Sequence, residues 1–317
     1  MRILITGGAG CLGSNLIEHW LSQDHTRVGH EIFVIDNFAT GKKELLPEIS
    51  GLSYRQGTIA DAALVKECFA AFRPELVVHA AASYKDPNDW AEDVRSNVMG
   101  AVNIATSAAE FGAQRIIHFQ TNLCFGHPEI LPVPNDHRSA PFTSYGITKT
   151  AGEQMLFLGA TPVLSLRLAN ITGPRLAIGP IPTFYKRLKE GKSVFCSDTR
   201  RDFMDMSDFL AFMDVAMQHN APTGCYNLAS GKAHSIKEIF DIVSAHVGVS
   251  MPDVPIVAPA SDDVAEMMLD ASAAKRDFNW NLKYGFEETI ARQLRWYDAH
   301  GVTDVFSHLK TGGINAA

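Results

Sequence analysis

The sequence predicts an α/β protein: a doubly wound parallel sheet with a smaller, mixed C-terminal domain. Three observations carry this. Short apolar runs alternate with amphipathic stretches through residues 1–168, the pattern of βαβ units. The first run, Arg2-Ile3-Leu4-Ile5-Thr6, leads directly into Gly7-Gly8-Ala9-Gly10-Cys11-Leu12-Gly13, followed by apolar residues at helical spacing. Asp36 closes the next apolar run about twenty residues further on, as a Rossmann-type dinucleotide fingerprint requires.

Each element has its own reason. Gly8, Gly10 and Gly13 fit G-x-G-x-x-G, while Gly7, Gly10 and Gly13 fit G-x-x-G-x-x-G. Glycines there permit a tight turn and close backbone approach. The helix from residue 14 would aim free N–H groups and its positive end at a pyrophosphate. Residues 32–35 and 52–56 read as the second and third strands. A helix follows at 62–72, with Asp61 as N-cap. Residues 76–79 form the fourth strand, 89–111 a long helix ending near Gly112, and 115–119 the fifth strand. A helix at 144–157 and a sixth strand at 163–168 complete the alternation. Ligands of such sheets sit outside the carboxyl ends of the strands, so the residues just after each strand matter most.

Gly, Pro and short elements become frequent after residue 168, with helices expected at 184–190, 207–219, 235–247 and 286–300. The expected division is a dinucleotide domain at 1–168, joined by a returning segment at 204–219. Residues 169–203 and 220–317 would then form the substrate domain. Residues 311–317 read as a frayed end.

Composition narrows the function. The 317 residues are 46% apolar and 20% charged, an ordinary globular mixture. A net charge of −7 argues against a sequence-independent nucleic-acid binder. The five cysteines are scattered without a C-x-x-C pair, and the twelve histidines form no ligand array. We therefore expect no metal, no disulfide framework and a reducing cytoplasm. Met1 runs straight into the first strand, leaving no room for a leader, and no apolar stretch reaches the length of a membrane span.

Tyr145 and Lys149 stand four apart on the helix at 144–157, one turn from each other on one face. A neighbouring ammonium, together with the positive ring of an oxidised nicotinamide, would favour the phenolate. Tyr145 could then take a proton from a substrate hydroxyl while hydride leaves the same carbon. Thr121, just beyond the fifth strand, could bond the same oxygen.

Together these residues resemble the extended short-chain dehydrogenase/reductase family over nearly the whole chain. The resemblance rests on the glycine loop, Asp36-Asn37-Phe38, His79-Ala80-Ala81-Ala82, Asn97-Val98-x-Gly100 and Thr121…Phe125-Gly126. It also rests on Tyr145…Lys149, Arg167…Asn170…Gly173-Pro174 and Arg201-Asp202-Phe203. The chain is most similar to the nucleotide-sugar epimerase/dehydratase branch. Gly-Gly-Ala-Gly-Cys-Leu-Gly-Ser-Asn-Leu-Ile-Glu-His-Trp from Gly7 is distinctive of sugar epimerases from O-antigen clusters, as is Arg-Leu-Ala-Asn-Ile-Thr-Gly-Pro-Arg from Arg167.

The resemblance implies catalysis by Thr121, Tyr145 and Lys149. It implies NAD held by Gly7, Gly10, Cys11, Leu12, Gly13, Asp36, Asn37, Thr58, Ile59, Ala80, Ala81, Asn97, Tyr145 and Lys149. Lys149 would bind the nicotinamide ribose. Asp36 would hold the adenosine ribose, and its carboxylate would repel a 2′-phosphate, favouring NAD over NADP. Thr121, Asn170 and Arg201 would bind a nucleotide-sugar, most commonly a UDP-sugar, and the partner implied is a second copy of the chain. His79 reads as a core histidine.

Three positions depart from the family pattern. Gly57-Thr58-Ile59 lacks the usual Asp after the third strand, and Phe125 replaces a tyrosine. Residues 260–263 lack the usual nucleotide-gripping Arg. Family dehydratases carry Asp-Glu after the threonine and decarboxylating members a Glu; here Asn122 and Leu123 cannot ionise. Epimerisation at a sugar carbon, most simply C4, needs neither group. The alternatives are a 4,6-dehydratase, an NAD-linked sugar dehydrogenase, or a cofactor-binding scaffold or sensor without catalysis.

Overall fold

A computed structural model describes residues 1–22, 29–84, 86–260 and 263–305. Strand β1 (Arg2–Thr6) is buried on both faces, which explains its unbroken apolar run. Helix α1 (Cys11–Leu21) begins earlier than the spacing predicted, because a Gly10 N–H to Gly7 O turn closes the loop at once. β2 (Glu31–Asp36), β3 (Leu52–Gln56), α2 (Ala62–Phe72) and β4 (Leu76–His79) follow. Asp61 caps α2 by accepting from the N–H groups of Ala63 and Leu64.

The expected long helix is a continuous rod of three pieces: α3 (Trp90–Asp93), a π-helical segment Val94–Met99, and α4 (Gly100–Glu110). Then come β5 (Arg115–Thr121), α5 (Ser144–Leu158) and β6 (Val163–Leu168). β5 runs on to Thr121, two residues beyond the expectation, pairing Thr121 with Leu168.

The second half holds β7 (Asn170–Thr172), α6 (Pro180–Lys189), β8 (Cys196–Ser197), β9 (Arg200–Asp205), α7 (Met206–Ala216) and β10 (Gly224–Leu228). β11 (Ala233–Ser235), α8 (Ile236–Val247), β12 (Ile256–Val257), β13 (Glu266–Met267), α9 (Ser272–Asp277) and α10 (Phe286–His300) complete it. α6 starts at Pro180, not Phe184. Prolines at the first positions of a helix lose no hydrogen bond, so Gly179-Pro180 marks a helix start rather than a loop. Residues 311–317 lie outside the described residues.

Seven strands form the main sheet in the order β10-β6-β5-β4-β1-β2-β3, all parallel. The chain winds outward from β1 in both directions, which opens a crevice at the carboxyl end between β1 and β4. β10, assigned from sequence to the second domain, is instead the edge strand beside β6. Ile3 and Ile5 of β1 join one core with α1 and with Phe209 and Phe212 of α7; Leu4 joins the opposite core with α2 and α4. α7 thus returns to the first core, as do Ala274, Phe278 and Trp280.

The remaining strands build smaller sheets: β11-β9-β13, with β7 pairing β9, and β12-β8. A third core joins Phe184 of α6, Phe240 of α8 and Leu294 of α10.

Candidate active site

The glycine loop follows from packing. Gly7 has a φ of +70°, and a Cβ there would lie 2.7 Å from the Ala81 nitrogen. A Cβ on Gly13 would lie 2.5 Å from the Gly7 oxygen. Gly8 packs against Val34 and Ile17 and stays off the cavity wall, so Gly7, Gly10 and Gly13 are the loop's working set. Gly10 meets nothing nearer than the Gly7 oxygen at 3.3 Å. No side chain caps α1, so its first-turn N–H groups face outward with the helix's positive end.

These residues border one cavity of about 450 Å³. Its wall also carries Cys11, Leu12, Asp36, Asn37, Thr58, Ile59, Ala80, Ala81, Thr121, Tyr145 and Asn170. Asp36 accepts from the Ala9 N–H at Oδ2 and the Phe38 N–H at Oδ1, each at 2.8 Å. Burial raises its pKa and those two bonds oppose the rise. A cradle without side chains, an uncapped helix start and a fixed carboxylate suit a dinucleotide's pyrophosphate and ribose.

Thr121 ends β5, and its Oγ1 accepts from the Leu123 N–H at 3.2 Å. Thr143 caps α5 through the Gly146 N–H, which brings Tyr145 to the cavity within the first turn. The Tyr145 phenol is not eased toward ionisation. Burial pushes its pKa well above the ordinary value, and Tyr84 and Asp93 add to the rise. The expected help from Lys149 is missing because that side chain points at the sheet. Its Nζ donates to the Phe119 oxygen at 2.7 Å and lies 3.4 Å from His118 Nε2. Lys149 is 2% exposed and off the cavity wall; burial pushes its pKa down to about 7, with Glu153 opposing.

Asn97 also sits behind the wall. Its amide donates to the Ser83 oxygen and to Thr148 Oγ1, and accepts from the Ser83 N–H at 2.9 Å. It therefore ties the cofactor-side loop after β4 to α5 instead of touching the cavity. Asn170 is on the wall and donates to the Asp202 oxygen at 2.9 Å. Arg201 is not. Placed between β11 and β13, it pairs with Asp263 and donates to the Arg200 oxygen at 2.8 Å.

The comparisons with known proteins agree with this geometry. Residues 3–229 match the family model described as NAD dependent epimerase/dehydratase family. The chain belongs to that family. It is 58% identical to Bordetella bronchiseptica WbmG, solved in complex with NAD and UDP, with a TM-score of 0.92 covering 98% of this chain and 99% of that one. It is 36% identical to WbmH of the same organism, solved with NAD+, with a TM-score of 0.88 over 95% and 99% of the two chains. Among curated proteins, it is 28% identical to the UDP-glucose 4-epimerase of Bacillus subtilis, over 95% of this chain and 98% of that protein.

The cofactor of this epimerase/dehydratase is NAD. Several wall residues were given no site role from the sequence: Thr40, Tyr84, Thr172, Leu176 and Phe203, the last quoted only as part of a motif. Tyr84 had a signal, since it follows β4 at the sheet's carboxyl edge; its ring meets that of Tyr145 edge-on, centroids 6.3 Å apart. Leu176 and Phe203 come from the second half, where only the folded chain brings them to the crevice.

Proposed function

We propose that this chain epimerises a UDP-hexose or UDP-hexuronic acid at C4, in the cytoplasm, for surface polysaccharide synthesis. One observation carries the reading. Thr121 and Tyr145 share the wall of the cavity that holds the glycine loop and Asp36, while the residues after Thr121 are the non-ionising Asn122 and Leu123. That set takes and returns one proton but offers no second acid for eliminating water.

NAD, held at the glycine loop and Asp36, would supply the hydride acceptor and donor for the sugar carbon. The positive ring of oxidised NAD would oppose the burial that holds the Tyr145 pKa up, so that Tyr145, as phenolate, takes the C4 hydroxyl proton and later returns it to the same oxygen. Thr121 holds that oxygen, and Lys149 sits on the buried side of α5, bonded to the Phe119 carbonyl. Asn170 contacts the sugar diphosphate, and Arg201 reaches a phosphate only by leaving Asp263. The UDP in the WbmG complex and the 4-epimerases among the relatives support this choice.

The chain is further proposed to be a homodimer. The π-helical segment and α5 leave Val94, Met99, Ile147 and Leu158 exposed, whereas Ala101, Ala105 and Ala108 are core. The test is Tyr145→Phe. It abolishes epimerisation of UDP-sugars, followed by proton NMR, and leaves NAD binding intact; unchanged turnover contradicts the reading.

A further inference from the structure

We propose that Arg175 is a positioning residue for the cofactor: it buckles the turn after β7 onto α1 and so holds the second half of the chain against the dinucleotide cradle. The turn runs from Gly173 to Leu176, whose N–H bonds the Gly173 oxygen at 3.3 Å. Arg175 Nη1 donates to Asn15 Oδ1 at 3.2 Å, and Nη2 pairs with Glu18 Oε2 at 2.6 Å, both on α1. The Pro174 oxygen accepts from Asn15 Nδ2 at 2.9 Å and from Cys11 Sγ at 3.5 Å. Cys11 opens α1 and stands on the cavity wall, as does Leu176 at the far end of the turn. From the other side, Tyr297 of α10 donates to the Leu176 oxygen at 2.6 Å. Two stretches of one wall, from residues 160 apart in the chain, are joined by this buckle.

The backbone shows that the arginine is held in place. Its φ is +66°, a region that strains an L side chain and suits glycine. Strained backbone persists where its surroundings over-determine it, and such positions cluster at ligand clamps. Here the surroundings are the bonds to α1, made by an arginine side chain 16% exposed. Stability of the fold does not ask for them. Glu18 is 60% exposed, and an ion pair that open adds little to stability. What the bonds fix is the start of the segment that continues along the cavity through Ile178 and Gly179. Gly173 sets the limit on the opposite side, since a Cβ there would lie 2.3 Å from the Met206 Cβ.

Without the guanidinium the turn samples other conformations, and NAD binds only the fraction of molecules whose wall is in place. The affinity falls by that fraction. The test needs no sugar, so its failure leaves the proposed epimerisation standing, and failure of the epimerisation leaves this inference standing. The full chain, freed of NAD, is titrated with NAD by calorimetry, and its unfolding is followed in urea. Arg175→Gly, which relieves the backbone, weakens NAD binding about tenfold and leaves the urea midpoint near that of wild type. Arg175→Lys keeps a charge for Glu18 but not the fork to Asn15, and recovers part of the affinity.

Equal NAD affinity in Arg175→Gly and wild type overturns the proposal. Should the midpoint fall instead, or the glycine variant not fold, hydrogen exchange of the NAD-free wild type decides. The Leu176 N–H is protected there if the buckle pre-forms the wall, and its rapid exchange overturns the proposal.

Discussion

Asp36 shows what one residue sets. Its two oxygens are held by the Ala9 and Phe38 N–H groups, so the carboxylate stays at the cavity wall. A fixed negative charge there favours a free 2′-hydroxyl over a 2′-phosphate. Asp36→Ala is expected to weaken NAD about tenfold to a hundredfold, the loss of a hydrogen bond to a charged group, and to narrow the gap to NADP. Calorimetry with both cofactors checks this; an unchanged NAD affinity would contradict it. Asp36, Thr121 and Tyr145 were legible in the sequence because each follows a strand or opens a helix at the sheet's ligand-binding edge. Lys149 and Arg201 were half-legible. Their types and spacing are what the family resemblance implies, but side-chain direction depends on what faces them. Lys149 finds the Phe119 carbonyl and His118, and Arg201 finds Asp263.

At the scale of elements, α5 is the piece that places the chemistry. Polar groups seat it on the sheet: Glu153 takes the Arg167 guanidinium at 3.2 Å and the Ser165 hydroxyl at 2.5 Å. Both ion-pair partners are buried, so Glu153→Leu leaves a buried guanidinium unpaired and costs about 3–5 kcal/mol. Urea unfolding measures it, and a loss under about 1 kcal/mol, the worth of an exposed pair, would show that the pair does not seat the helix. On its other side α5 meets the π-helical segment, where Gly152 packs on the Asn97 carbonyl with no room for a Cβ. A π segment has no hydrophobic period of its own, so the sequence showed one helix at 89–111. The short strands β7 to β13 were also illegible as strands. Most have two or three residues, too few for an alternation to register.

The whole molecule carries the cost of its buried bases. Burial, with the nearby Lys149, pushes His79 down to about 3 from the 6.5 of a free imidazole, and His118 is also held well down. Between those values the unfolded chain binds more protons than the folded one, so acid in that window favours unfolding and stability rises as pH climbs back to 6.5. Urea midpoints of the NAD-free protein are expected to fall steadily below pH 6.5, and to fall less steeply in His79→Leu. A flat midpoint from pH 6.5 to 4 would contradict the neutral burial of both rings. The doubly wound sheet was legible because βαβ alternation is a whole-chain pattern. Its seventh strand was not, because Gly224–Leu228 joins β6 across the intervening residues 169–223, a distance that no local signal spans. The exposed apolar face predicts a dimer by sedimentation. Leu158, 81% exposed, is its most open member, and Leu158→Lys is expected to yield monomers.

The most direct test follows one carbon. The purified protein, supplied with NAD, is incubated in deuterium oxide with UDP-hexoses and UDP-hexuronic acids, and C4 is followed by NMR. The account predicts the C4 epimer with no deuterium at C4, no consumption of NAD, and no product with Tyr145→Phe. Loss of water or carbon dioxide with no epimer formed, or steady reduction of NAD, would contradict it.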